Sequence, residues 1–428
     1  MSNRASSPTA SSGPSSNSRT TARSRLAAGS TRTPTSRFPT PSFRLRRTDV
    51  ASFGAAISEH PDAAFAVGEV VGAVVEAVGE APDIAFLFVS GHDVGAVEEI
   101  ATAVRALLRP GVLAGCTAVG VIGNDYEAEE APAVSLWAGR VGKAEAVRLE
   151  AVRAPEGTAV VGMPDDAADG SRTLVLLTEP FSFPVDSLTK ASNHQYPHLR
   201  IVGGVASADG GPGANRLILD GELHTDGAVG VLLPAGLGEL TVVSQGCRPV
   251  GEPYIVTDSE ANLVRGLGMR PALERLSELV DDADEETKAL MARGLHVGIV
   301  VDESADEFRR GDFLVRGILG ADHGVGAIRI GDRAPIGTTL QFHVRDAETA
   351  TEDLESLLRV VDADAALVFT CNGRGHRLFG EADHDARRVF DAVGGGPVAG
   401  MFCAGEIGPV GGENHVHGFT ASTLFLFG

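Results

Sequence analysis

Lysine is almost missing from this chain: Lys143, Lys190 and Lys288 stand beside 33 arginines, and that bias by itself points to no function. Cysteine is sparse as well. Cys116, Cys247, Cys371 and Cys403 lie far apart with no C-x-x-C pair. Neither a zinc ribbon nor a disulfide framework is suggested, and a reduced, cytoplasmic compartment fits. No apolar run approaches the ~18 residues of a membrane span, and no signal-peptide apolar region follows the N-terminal charges. Acidic residues are absent from residues 1–48, which hold nine Arg and so carry +9. The other 380 residues, with 27 basic and 57 acidic side chains, carry −30 of the total −21. Such a body argues against a nucleic-acid-binding face.

The first 48 residues are crowded with Ser, Thr and Pro and have few large apolar groups. They cannot bury enough surface to offset their ordering entropy, so a disordered tail is expected. A transit peptide shares this composition. An upstream start codon or a solvated tail fits better, because no amphipathic apolar face accompanies the charge.

From Asp49 onward the chain alternates short apolar runs with stretches of helical period. Residues 60–78 place Phe65, Val67, Val70, Val71, Val74, Val75 and Val78 at helical spacing. A buried strand follows at 84–89, a helix at 97–108, a strand running into a glycine-rich turn at 112–123 and a further strand at 133–138. The same order recurs at 174–233 and again at 365–427. Three copies of strand, helix, glycine-rich strand and turn, and closing strand predict an internally duplicated α/β architecture. Between the second and third copies, residues 240–345 differ. Helices are predicted at 271–280 and 285–293, then short strands at 295–301, 313–319, 326–330 and 339–344. The domain break is placed near Gly238, giving residues 49–238 and 239–428.

The glycine-rich turns span 115–123, 203–213 and 400–412. None is a G-x-G-x-x-G or Walker loop leading into a helix. Glycines there serve ligand contact or tight strand packing, and the two readings are level for each loop alone. Polar groups at strand ends favour a ligand in the third copy. Cys371, Asn372, Arg374, Glu381, Cys403, Gly405, Glu406, Asn414, His415 and His417 all fall near the ends of apolar runs. Arg374 could hold a carboxylate bidentately and Glu406 an amine, while Asn372 and Asn414 read an amide or hydroxyl. That set suits a small zwitterion. It requires Asn372, Arg374 and Glu406 to share one hollow. Mutual pairing of Arg374 and Glu406 is the bland alternative. Two catalytic alternatives stand beside it: a metal centre on His415, His417 and Glu406, or Cys403 as nucleophile with a neighbouring His as base. A buried, inert Cys403 is the favoured reading of that thiol.

The segments G-C-T-A-V-G-V-I-G-N-D-Y-E (115–127), G-D-R-A-P-I-G-T-T-L-Q-F-H-V-R-D (331–346), N-G-R-G-H-R-L-F-G-E (372–381) and F-C-A-G-E-I-G-P-V-G-G-E-N-H-V-H-G-F-T-A (402–421) resemble the FIST domain family, in its FIST N and FIST C halves. The likeness covers about residues 49–428. It implies a sensory domain that binds small ligands, amino acids or their relatives, coupled to signal transduction, here in the stand-alone bacterial-type form. It carries over no catalytic residue. The expected protein is thus a cytoplasmic small-ligand sensor without cofactor or metal, contacting a signalling partner but no nucleic acid or membrane through its body. Enzyme and protein-interaction adaptor are the alternatives.

Overall fold

A computed structural model describes residues 51–90, 95–154, 157–208, 211–305, 308 and 311–428. The expected tail (1–48) and the strand-end residues Gly91 and His92 lie outside them. Residues 49–428 form one compact unit.

The first copy runs β1 (Ser52–Ser58), α1 (Ala63–Val78), β2 (Ile84–Ser90), α2 (Val97–Leu108), β3 (Val112–Ala118), the hairpin β4 (Val121–Gly123) and β5 (Tyr126–Ala128), and β6 (Val134–Arg140). Helix α1 starts where the Asp62 carboxylate accepts from the amides of Ala64 and Phe65, and it buries Val67, Val70, Val71, Val74 and Val78 on one stripe. The second copy runs β7 (Glu145–Ala154), β8 (Gly157–Val161), β9 (Arg172–Thr178), α3 (Val185–Gln195), β10 (Leu199–Val205), the hairpin β11 (Leu217–Leu219) and β12 (Glu222–His224), and β13 (Ala228–Leu232).

The third copy opens with β14 (Gly238–Gln245) and is then interrupted. The insert comprises β15 (Cys247–Glu260), β16 (Leu263–Leu267), β17 (Arg270–Pro271), α4 (Ala272–Asp282), α5 (Glu285–Arg293), β18 (Leu295–Val300), β19 (Phe313–Asp322), β20 (Ala327–Ile330) and β21 (Thr339–Arg345). The copy resumes with α6 (Ala347–Leu358), β22 (Ala365–Cys371), α7 (His376–Phe379), α8 (His384–Ala392), β23 (Val398–Cys403), the hairpin β24 (Glu406–Val410) and β25 (Glu413–His417), and β26 (Thr420–Phe427).

Each copy builds the same sheet. The orders are β1-β6-β2-β3, β7-β13-β9-β10 and β14-β26-β22-β23. The last two strands of each run parallel, joined by a helical crossover. Each sheet is then completed by a hairpin from another copy. Hairpin β4–β5 joins β23, β11–β12 joins β3, and β24–β25 joins β10. The exchange is cyclic, first copy to third, third to second, second to first. Side chains from all three sheets, among them Phe88, Cys116, Val202, Phe369 and Met401, share one core. The insert forms a separate sheet, β15-β21-β18-β19-β20-β16-β17, which the β15–β16 pairing closes into a small barrel with its own core.

The three copies expected from the sequence are therefore present, with two corrections. The run at 112–123 is two strands, because the chain leaves its own sheet after Ala118 to pair with β23. The leading edge strands β1, β7 and β14 were not expected, since their mixed exposure blurs any period.

The register gives one glycine of each loop a packing role. Gly115, Gly203 and Gly400 sit opposite Leu87, Leu176 and Val368 on the preceding parallel strand. A Cβ at any of the three would overlap the carbonyl oxygen of that partner. Backbone cannot yield as a side-chain tip does, so Gly400→Ala should cost at least about 2–3 kcal/mol in urea unfolding. A loss under ~0.5 kcal/mol would show the strands free to part.

Candidate functional site

Parallel strands β22 and β23 end side by side, with Cys371 in register with Cys403. Crevices at such ends are where α/β folds hold ligands. The backbone turns at once: Asn372 N donates to Cys403 O and Arg374 N to Cys371 O. That turn sends Arg374 inward, where it is 1 % exposed.

Arg374 meets Asp385 at the start of α8, Nε donating to Oδ2 at 2.7 Å and Nη2 to Oδ1 at 2.9 Å. Asp385 also accepts from Thr370 Oγ1 at 2.6 Å and lies 2.8 Å from His384 Nδ1. Burial alone would raise this carboxyl, but the charge and hydrogen bonds of Arg374 outweigh it and hold it well below the carboxylate range. The guanidinium lies 5.0 Å from the centre of the Phe379 ring, which stacks on His384. The bidentate fork of Arg374 is thus filled by Asp385. Nη1 remains, fully buried, with no hydrogen-bond partner in the protein.

Glu406 is its counterpart. It is fully buried, and Oε2 accepts from Thr420 N at 3.1 Å and Thr420 Oγ1 at 2.8 Å. Oε1 has no partner. Burial pushes this carboxyl up to about 8 against the lowering effects of Thr420 and Arg374. The Cys371 thiol interacts with Glu406, and burial pushes it up to about 12.

The internal repeat supplies a control for Glu406. Each exchanged hairpin begins opposite the residue after the packing glycine: Glu406 opposite Gly204, Leu217 opposite Cys116, Val121 opposite Met401. Glu406 therefore occupies the position that the other copies fill with Leu217 and Val121, both buried and apolar. The fold does not need a carboxylate there. Glu127 is different: its Oε1 accepts from the amides of Asp385 and Ala386 and caps α8, a structural task.

The other expected site residues scatter. Asn372 is exposed beside Cys371, and Glu381 is exposed and paired with Arg388 at 3.0 Å. Asn414 spends its side chain on Ile201 N and Leu199 O, both at 2.8 Å. Gly405 carries a turn whose carbonyl accepts from Val205 N. His417 is buried with Nε2 2.9 Å from Gly408 O, and burial pushes it down to about 3. His415 Nε2 has no partner. No group of three or more His, Cys, Asp or Glu side chains suited to a metal occurs among the described residues. Cys403 is fully buried, and burial raises its thiol well above the ordinary range. Arg374, Cys371, Cys403 and Glu406 are thus brought together, and Asn372 only at the rim.

Sequence reasoning missed Asp385, Thr420, Phe419 and the barrel residues His296 and Arg345. The Asp-His-Asp run at 383–385 was the available signal for the first, but it named no partner. A surface cleft of about 390 Å³ bounded by Arg248, Asp284, Asp346 and Glu352 contains none of the expected residues. Asp284 and Asp346 there cap α5 and α6.

Residues 83–270 match the FIST N domain, and residues 272–409 match the FIST C domain. An uncharacterized protein of Mycobacterium tuberculosis is 43 % identical over 381 residues, covering 87 % of this chain and 99 % of that relative. An uncharacterized protein of Mycobacterium bovis is 42 % identical over 382 residues, covering 87 % and 98 %.

Proposed function

The chain belongs to the FIST family, and from that premise we propose that it binds a small zwitterion, an amino acid or close relative, between Arg374 and Glu406. FIST domains are associated with sensory signal transduction and small-ligand binding. The observation that carries the finer reading is the pair of buried orphan atoms. Arg374 Nη1 is a donor without an acceptor, and Glu406 Oε1 stands in an otherwise apolar position of the repeat. Buried polar atoms left unpaired are costly. A ligand with a carboxylate for Arg374 and an ammonium for Glu406 satisfies both. No helix among the described residues is long and apolar enough to cross a membrane.

A thermal-shift panel of amino acids and small dicarboxylates checks this. A bound ligand at 100 times its Kd stabilises by about 2.7 kcal/mol, and Glu406→Gln should abolish the shift while keeping the fold. An ammonium beside Glu406 favours the ionised carboxylate, so binding expels a proton at pH 7. Affinity for the amine-bearing ligand should then rise as pH climbs from 6 to 8, up to about tenfold per unit. No shift with any panel member, or affinity that falls over that range, would refute the reading.

A further inference from the structure

We propose that Phe419 is the gate of the Arg374–Glu406 site and that the inserted barrel holds it shut; the site itself rests on the functional reading above. Phe419 belongs to a two-residue link, Gly418-Phe419, between β25 and β26, which lie in different sheets. Its φ is +63°, a left-handed conformation that a bulky residue adopts only when its surroundings enforce it. The enforcement comes from the barrel. The Arg345 guanidinium of β21 lies 4.9 Å from the ring centre, and the His296 ring of β18 meets it edge-on at 4.2 Å.

Arg345 Nη2 also donates to Gly373 O, and the Phe419 carbonyl accepts from Gly246 N at 3.0 Å. The peptide that follows the ring is therefore tied at both its ends: its carbonyl to Gly246, which precedes the barrel, and its N–H, that of Thr420, to Glu406. The buried side of the link is the site. The space a Cβ on Gly246 would fill is bounded by the Phe419 carbonyl oxygen and by Arg374 Nη1, and the Cys371 thiol interacts with both the Phe419 backbone and Glu406. The outer side is solvent, since Asn372 and Ala404 are exposed and Phe419 is only half-buried. Gln245 also joins the two, pairing with Thr420 across β14 and β26 while its Nε2 donates to Phe313 O of β19, but it is buried, whereas the Phe419 ring reaches the surface. Two barrel side chains bear on the ring, and each keeps a buried nitrogen without a partner, His296 Nδ1 and Arg345 Nε. A swing of Phe419 thus changes barrel contacts in the same movement that opens the site.

Cys371 reports on the gate without any ligand. Iodoacetamide labelling at fixed pH, read by peptide mass spectrometry, should be slow in the wild type, where Cys371 is 6 % exposed. Phe419→Gly, which suits the left-handed backbone, should raise the Cys371 rate at least tenfold. Cys116, in the shared core, should stay unlabelled. His296→Ala should raise the Cys371 rate several-fold in the full-length protein, by loosening the clamp alone. An unchanged Cys371 rate in Phe419→Gly overturns the gate, as does equal acceleration at Cys116, which means general loosening. An unchanged rate in His296→Ala overturns the part given to the barrel, and that variant carries the test should Phe419→Gly not fold. Because no amino acid is added, failure here is distinct from failure of the ligand reading.

Discussion

Glu406→Gln should stabilise the protein increasingly as pH rises from 5 to 8. Glu406 is held at about 8 in the folded chain by burial, against 4.5 for an ordinary glutamate. Between those values the folded protein keeps the proton that the unfolded chain has released. Unfolding then releases a proton, so wild-type stability falls as pH climbs, by about 1.4 kcal/mol per pH unit for this one group. Over the full window the loss is on the order of 4–5 kcal/mol. Above pH 8 it no longer grows. Glutamine has no proton to lose and can still accept from Thr420. Glu127, also raised to about 8, adds a slope to both proteins and cancels in their difference. Urea unfolding at pH 5, 6, 7 and 8 measures that difference. A gap that stays flat across the series would mean that Glu406 is ionised inside the fold. The repeat suggests a second variant: Glu406→Leu installs the residue that the second copy has at the same place, Leu217, and should be stable yet unable to bind the ligand.

Arg374→Ala should do the opposite, and severely. It strips Asp385 of two hydrogen bonds and its counter-charge while leaving it buried, a loss of about 3–5 kcal/mol at pH 7. The sign with pH follows from the depressed Asp385 carboxyl. The stability it contributes is present above the ordinary aspartate value and is lost as pH falls below about 4 toward the folded value. The deficit of the variant should therefore shrink below about pH 4. Arg374→Met with Asp385→Leu removes both charges and should recover most of the loss, a coupling that a double-mutant cycle reads directly. If Arg374→Ala unfolds within ~0.5 kcal/mol of the wild type, Asp385 has water or another partner and the site is not closed. Since this variant is destabilised, ligand binding is better judged with Glu406→Gln.

Much of this was legible in the residues. The valine stripe of α1 and the continuous apolar runs of β2, β9 and β22 identify themselves by period and length. The three packing glycines marked the repeat, though only the register showed which backbone carbonyl each of them makes room for. Arg374 and Glu406 were visible as charged residues where apolar runs stop. Asn414 and His417 looked the same and proved to be holding strands together, because position at a strand end does not say which way a side chain turns or what already meets it.

Periodicity, turn chemistry and the thrice-repeated order of elements are local properties, carried by neighbours a few residues apart, and they can be read from the residues alone. The cyclic exchange of hairpins, the closure of the barrel and the clamp on Phe419 join residues from distant parts of the chain; Glu127 caps a helix that begins 257 positions further on. Which donor finds which acceptor over such separations depends on how whole sheets pack, so only the tertiary structure could decide that Arg374 faces Asp385 and that Glu406 is buried among apolar neighbours.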